Sequence, residues 1–205
     1  MRIPLLIALG VMVALPATLH AQQAQGQQDK KPDKKHSVEL AASDKTLQLY
    51  YRSDTNFGRQ PDSEVAYGLF LSEHRDFVGS AALLFGTELN FGFSPLEVKL
   101  GPQAYAAFLR DENNDVFSIA IGAQLRYVLV RERELAITGN AFYAPDILTF
   151  GSANRTTDFM VRAEIKLSSR VLGFGGYRWF NMDLVNQPTD KLQNQVFAGI
   201  NWQLR

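Results

Sequence analysis

From Asp115 to Val130 the chain reads DVFSIAIGAQLRYVLV, and every odd position from Phe117 to Leu129 is apolar. The even positions include Ser118, Gly122, Gln124 and Arg126. A period of two is the mark of a β-strand with one apolar and one polar face. The apolar face is long enough to cross a bilayer when the strand is tilted. The same alternation recurs along the chain. Asp158–Ser168 sets Phe159, Val161, Ala163, Ile165 and Leu167 against Arg162, Glu164 and Lys166. Leu96–Leu109 sets Leu96, Val98, Leu100, Ala104, Ala106 and Phe108 against Glu97, Lys99, Gln103 and Tyr105.

Read throughout, the pattern predicts ten strands: Ser37–Ala42, Thr46–Ser53, Glu64–Ser72, Asp76–Phe91, Leu96–Leu109, Asp115–Val130, Glu134–Ala144, Asp158–Ser168, Val171–Asp183 and Leu192–Leu204. Turn signals separate them, among them Ser43-Asp44-Lys45 and Ser169-Arg170, with longer polar connections at Pro145–Thr156 and Leu184–Lys191. Single-chain bacterial barrels carry an even strand number, short periplasmic turns and longer outer loops. Ten strands satisfy the parity. Asp54–Ser63 is long for a periplasmic turn, so eight strands stand as the alternative. The fold class is all-β: an antiparallel transmembrane β-barrel over residues 37–205, preceded by a signal peptide and a disordered linker.

The N-terminus supplies the export signal. Arg2 precedes an uncharged, mostly apolar stretch from Ile3 to Leu19, and Ala21 suits cleavage, so residues 1–21 read as a signal peptide. Residues 22–36, QQAQGQQDKKPDKKH, are polar, lysine-rich and low in complexity, which predicts a disordered linker. No later segment is apolar enough for a membrane helix. Only a closed barrel pairs every backbone polar group within a bilayer.

Direction follows from cost. An Arg or Lys pointed into lipid at mid-depth costs about 2–4 kcal/mol. Glu97, Lys99, Arg126, Arg162, Glu164, Lys166 and Arg178 are therefore placed in the lumen, together with Glu39, Gln48, Arg52, Glu64, Glu88, Gln103 and Gln124. Tyr51, Tyr67, Phe91, Phe108, Phe117, Tyr127, Tyr143, Tyr177, Trp179 and Trp202 sit mainly near strand ends, where interfacial girdles form. A soluble barrel or sandwich would also alternate. The long alternation and the export signal favour the membrane.

Charge and composition exclude other classes. Lys+Arg and Asp+Glu both number 21, which leaves no basic face for nucleic acid. The chain has no cysteine, so disulfides and thiolate metal sites are absent. His74, beside Glu73, Arg75 and Asp76, reads as a solvated turn histidine rather than half of a catalytic pair. Asp111, Glu112 and Asp115 read as a solvated charged turn, with calcium or lipopolysaccharide bridging as the sharper alternative. Gly173-Phe174-Gly175-Gly176 lacks the Lys-Ser/Thr of a phosphate loop and suits bending or close packing of a barrel wall. No catalytic, cofactor or metal residues are assigned, and no enzyme activity is expected.

Ala141-Phe142-Tyr143-Ala144-Pro145-Asp146-Ile147-Leu148 is an aromatic strand end followed by Pro-Asp, and Gly175-Gly176-Tyr177-Arg178-Trp179-Phe180-Asn181-Met182 is a late strand with an inward arginine. In these motifs and in strand order the chain resembles the YfaZ family of small outer-membrane barrels. That resemblance implies a porin-like barrel and no catalytic residues. Gly199, Trp202 and Leu204 match the spacing of a barrel-assembly signal, although Phe197 replaces a polar residue and Arg205 follows where a terminal aromatic is usual. The expected function is a narrow porin-like or structural barrel with a charge-lined lumen, either plugged by ion pairs or lining a thin channel. Balanced charge favours the plug. A surface-binding barrel acting through its outer loops is the alternative. The expected partners are outer-membrane lipids, lipopolysaccharide and the barrel-assembly machinery, and the chain is expected as a monomer in the bacterial outer membrane.

Overall fold

The structure, a computed structural model, describes residues 35–55, 63–73, 76–91, 94–110, 114–130, 134–185 and 190–204. The signal peptide and all of the linker up to residue 34 lie outside the described residues, as do His74, Asp111 and Glu112. The eleven strands are β1 (His36–Ala42), β2 (Thr46–Thr55), β3 (Ser63–Ser72), β4 (Phe77–Phe91), β5 (Ser94–Leu109), β6 (Asn114–Val130), β7 (Leu135–Ala144), β8 (Thr149–Gly151), β9 (Ala153–Lys166), β10 (Val171–Leu184) and β11 (Asp190–Leu204).

Ten of these are the staves of a closed antiparallel barrel. Each pairs with its chain neighbours, β7 passes directly to β9, and β1 closes the wall against β11 from His36↔Leu204 to Ala42↔Ala198. The count is ten, not eight. The uncertain N-terminal third is part of the wall, because β2 runs on to Thr55 and β3 begins at Ser63, with full pairing between them. The first stave starts at His36, one residue earlier than the alternation predicted.

The connection predicted at Pro145–Thr156 is mostly structured. After β7 ends, Asp146–Leu148 forms a 3₁₀ turn, and β8 pairs with Val116–Ser118 of β6. Gly151 reverses the chain at φ 92°, a left-handed conformation that glycine adopts without a Cβ penalty. β9 then begins at Ala153, five residues before the predicted start. The 3₁₀ turn and β8 cover the part of β6 that β7 does not reach, so this segment completes the wall.

The pleat sorts the side chains as the period requires. On β6, Phe117, Ile121, Leu125, Tyr127 and Leu129 are exposed on the outside, while Val116, Ser118, Ala120, Gln124 and Val128 are buried inside. Tyr51, Tyr127 and Trp202 lie outside toward the end where β1 starts and β11 finishes, the terminal end of the barrel; Phe77, Phe108, Phe117, Tyr143, Phe150 and Trp179 lie outside toward the far end. Between these aromatic rows the outer surface is mainly Leu, Ile, Val, Ala and Gly, with Tyr67, Phe85 and Pro102 also exposed. In the Gly-rich stretch of β10, close backbone approach requires glycine at Gly176. A Cβ on Gly176 would collide with the Val161 carbonyl and with Arg162.

Candidate functional site: the charged lumen

The lumen is filled in layers. The layer at the far end is largely apolar, although Asp76, Ser118, Thr156, Asn181 and Gln193 are also buried there. Phe70, Val78, Leu109, Val116, Phe180, Met182, Leu184 and Leu192 form one buried cluster with smaller residues from neighbouring staves. These side chains sit on the same inward face as the charges, but further along each strand. Phe180 is fully buried, with Tyr105 tilted against it at 5.4 Å and Phe70 edge-on at 5.9 Å.

Beneath this cap lies Arg178. Its guanidinium forks onto Asp158, Nε to Oδ1 at 2.9 Å and Nη2 to Oδ2 at 2.7 Å. Nη1 donates to Gln48 and to the Tyr50 hydroxyl, both at 2.9 Å. Tyr105 donates to the same Asp158 carboxylate at 2.8 Å. The cation also lies over the Phe180 ring, 4.7 Å from its centroid. A buried charge is tolerable only when it is paired and its remaining donors are satisfied, and Arg178 meets both conditions.

Closer to the terminal end the charges form a belt. Lys99 pairs with Glu64, Glu64 with Arg52 at 3.0 Å, and Arg52 with Glu39 at 3.2 Å. Glu39 takes two bonds from Arg162, at 2.8 and 3.0 Å. Arg162 bonds Glu164 at 2.8 Å, Glu164 accepts from Arg126 at 3.1 Å, and Arg126 reaches Glu97 at 2.9 Å. The sequence of signs alternates without a break. Lys99 and Glu97, the two ends, both stand on β5, so the belt starts and finishes on one stave. Its gaps are filled by neutral groups: Gln124 accepts from Arg52, Asn201 donates to Glu39, Thr138 donates to Glu164, and Arg162 stacks over Phe174.

Of the lumen residues expected from sequence, Glu97, Lys99, Arg126, Arg162 and Glu164 are members of this belt, and Arg178 sits alone above it. Lys166 lies elsewhere. It is at the rim, where β9 ends, about one-third exposed and paired with Glu134. A cavity of about 40 Å³ separates the belt from Arg178. On the terminal side of the belt a vestibule of about 300 Å³ opens, bordered by Lys35, His36, Asp54, Glu97, Glu134 and Gln203. Gly199 of the assembly-signal spacing points inward, and a Cβ there would strike Leu40 and Phe174; Trp202 and Leu204 face outward.

The sequence did not announce the cap, Asp158 or the role of Tyr105. The signal was present: Phe70, Val78, Phe180 and Met182 share the parity of the inward charges, which marks a lumen that turns largely apolar at one end.

A family model described as YfaZ precursor matches residues 41–204. The chain belongs to the YfaZ family. The match takes in every stave but the first residues of β1, and every member of the belt except Glu39. No curated protein matches the chain. One solved structure, described as a bacterial polysaccharide outer membrane secretin, is similar over 78% of this YfaZ-family chain and 56% of its own, at 13% identity and a TM-score of 0.47. At that level nothing of the secretin's function carries over.

Proposed function

We propose that this chain is an integral outer-membrane β-barrel that is closed to steady ion flow, with its vestibule on the periplasmic side. In this reading it is a structural barrel of the porin-like kind, not an enzyme. The observation that carries the reading is the belt, in which four cations and four carboxylates pair in sequence and return to the stave they started from. An ion crossing it must part charges that are already matched, in a lumen that the apolar cap closes again at the far end.

The membrane assignment rests on the apolar exterior between two aromatic rows, the arrangement of transmembrane barrels. Such barrels place both termini in the periplasm when the strand number is even. The lipids and lipopolysaccharide of the outer membrane are then the partners of that surface, and the barrel-assembly machinery reads Gly199, Trp202 and Leu204. Binding through the outer loops is less favoured, because Pro145–Ser152 folds back onto β6 and does not project as an arm.

The test has two readings from one preparation. The protein is expected to fractionate with outer membranes and to migrate differently on a denaturing gel before and after boiling. Liposomes carrying it are expected not to swell in small-sugar solutions. Recovery in the soluble periplasm, or rapid swelling, contradicts the proposal.

A further inference from the structure

The outer face of the wall is not evenly filled. Across β2 to β6 it carries an open groove of about 520 Å³, lined almost wholly by apolar groups. Its floor is Gly79, Ala81, Ala104 and Ala106, which face one another in register, Gly79 with Ala106 and Ala81 with Ala104. Tyr67 and Leu69 rise on one side of this floor and Phe117 on the other. The backbone does not demand the gap. A Cβ on Gly79 would meet the Ala106 carbonyl oxygen and the Phe77 ring at 4.0 Å, an ordinary contact distance. The floor has room for a side chain, and the chain places none there.

The groove leads toward a cation. Gly79 and Ala106 lie two residues inside Phe77 and Phe108 of the far aromatic row. Arg110 lies two residues beyond Phe108, on the same outward parity, and is exposed. Ala106 and Arg110 are thus about 13 Å apart along the direction of β5, at about 3.3 Å per residue. The Arg110 backbone N–H donates to Asp76, but its guanidinium has no ion pair or hydrogen bond among the described residues. The Asp76 carboxylate is buried and taken up by Ser72 and that backbone N–H. Asp115 is the outward carboxylate opposite Phe108, and it forms no pair with Arg110. An exposed cation just past an aromatic row stands at the depth of lipid headgroups.

We infer that this face of the barrel holds one molecule of lipid A, the phosphorylated and multiply acylated anchor of lipopolysaccharide, with a phosphate on Arg110 and an acyl chain in the groove. An unfilled apolar recess forfeits dispersion contacts along its walls, and a flexible methylene chain restores them. A phosphate on the guanidinium fixes where that chain enters. In the orientation proposed above, the far end lies in the outer leaflet, whose lipid is lipopolysaccharide, and this favours lipid A over a phospholipid. The inference rests on that membrane assignment and does not require the barrel to be closed to ions.

Native mass spectrometry of the folded, delipidated barrel tests it, with diphosphoryl lipid A as the probe and phosphatidylethanolamine as the competitor. A single lipid A adduct is expected on the wild-type barrel, and excess phosphatidylethanolamine is expected not to displace it. Gly79→Leu, which fills the floor, is expected to lose the adduct. Arg110→Gln is expected to weaken it. Val196→Leu adds bulk to an exposed outer position on β11, away from the groove, and is expected to retain it. The gel shift on boiling checks that each variant is folded. No adduct on the wild-type barrel, displacement by phosphatidylethanolamine, a barrel dimer in place of the adduct, or an undiminished adduct in either Gly79→Leu or Arg110→Gln overturns the inference. A heat-modifiable outer-membrane barrel that takes no lipid A leaves the membrane assignment standing; recovery in the soluble periplasm defeats both.

Discussion

Glu39→Ala is the sharpest perturbation of the belt. The Glu39 side chain is 3% exposed, holds both terminal nitrogens of Arg162, pairs with Arg52 and accepts from Asn201. Removing one partner of a buried ion pair costs about 3–5 kcal/mol, because the other charge is left uncompensated. Here two arginines are affected, but each keeps a second carboxylate, Glu164 for Arg162 and Glu64 for Arg52. That holds the loss toward the lower figure, and the Asn201 amide, left with only its longer bond to Ser37, adds about 1 kcal/mol or less. A total of about 3–4 kcal/mol is therefore expected. Urea unfolding of the barrel in phospholipid vesicles, followed by emission from Trp179 and Trp202 and by gel mobility, measures it. Lys166→Ala is the internal control. Its rim pair with Glu134 is partly solvated, and such pairs contribute about 1 kcal/mol or less. A Glu39→Ala loss no larger than that of Lys166→Ala would refute the reasoning that the belt is a buried, coupled network.

Three further outcomes follow from the packing. Gly176→Val is expected to abolish the heat-modifiable folded band, because even a Cβ collides with the Val161 carbonyl and Arg162, and backbone cannot yield as a side-chain tip can. Phe180→Ala empties the middle of the apolar cap and is expected to cost about 3–5 kcal/mol in the same urea assay, while leaving the barrel silent in bilayers because the belt still closes it. In a double-mutant cycle, Arg162→Ala and Glu39→Ala are expected to couple by about 1–3 kcal/mol, and additive losses would show that the two side chains act independently.

The wall was legible because its rule is local. Alternation at Asp115–Val130 and Asp158–Ser168 assigns inside and outside residue by residue, and a charged side chain cannot face lipid cheaply. Ten staves followed, together with the outward placement of Trp179, Trp202 and Tyr143. The lumen was legible only as a composition. Arg162 meets Glu39 across 123 residues of chain, and Arg178 meets Asp158 across 20. Those pairings depend on how strands far apart in sequence face one another across the closed wall, which no single strand encodes. The structured segment after Pro145 was hidden for a different reason. Gly151, Ser152 and Asn154 are turn-forming residues, and β8 is only three residues long, too short to show a period. Phe70 and Phe180 do not stand out in the sequence, because they share the parity of a face whose other members are charged.

The closure of the lumen is tested most directly by single-channel recording of purified barrel in planar bilayers. The wild-type protein is expected to insert and give no steady unitary current. Glu39→Ala/Arg162→Ala combined with Phe180→Ala, which opens the belt and the cap together, is expected to conduct. Steady unitary currents from the wild-type barrel would contradict the account.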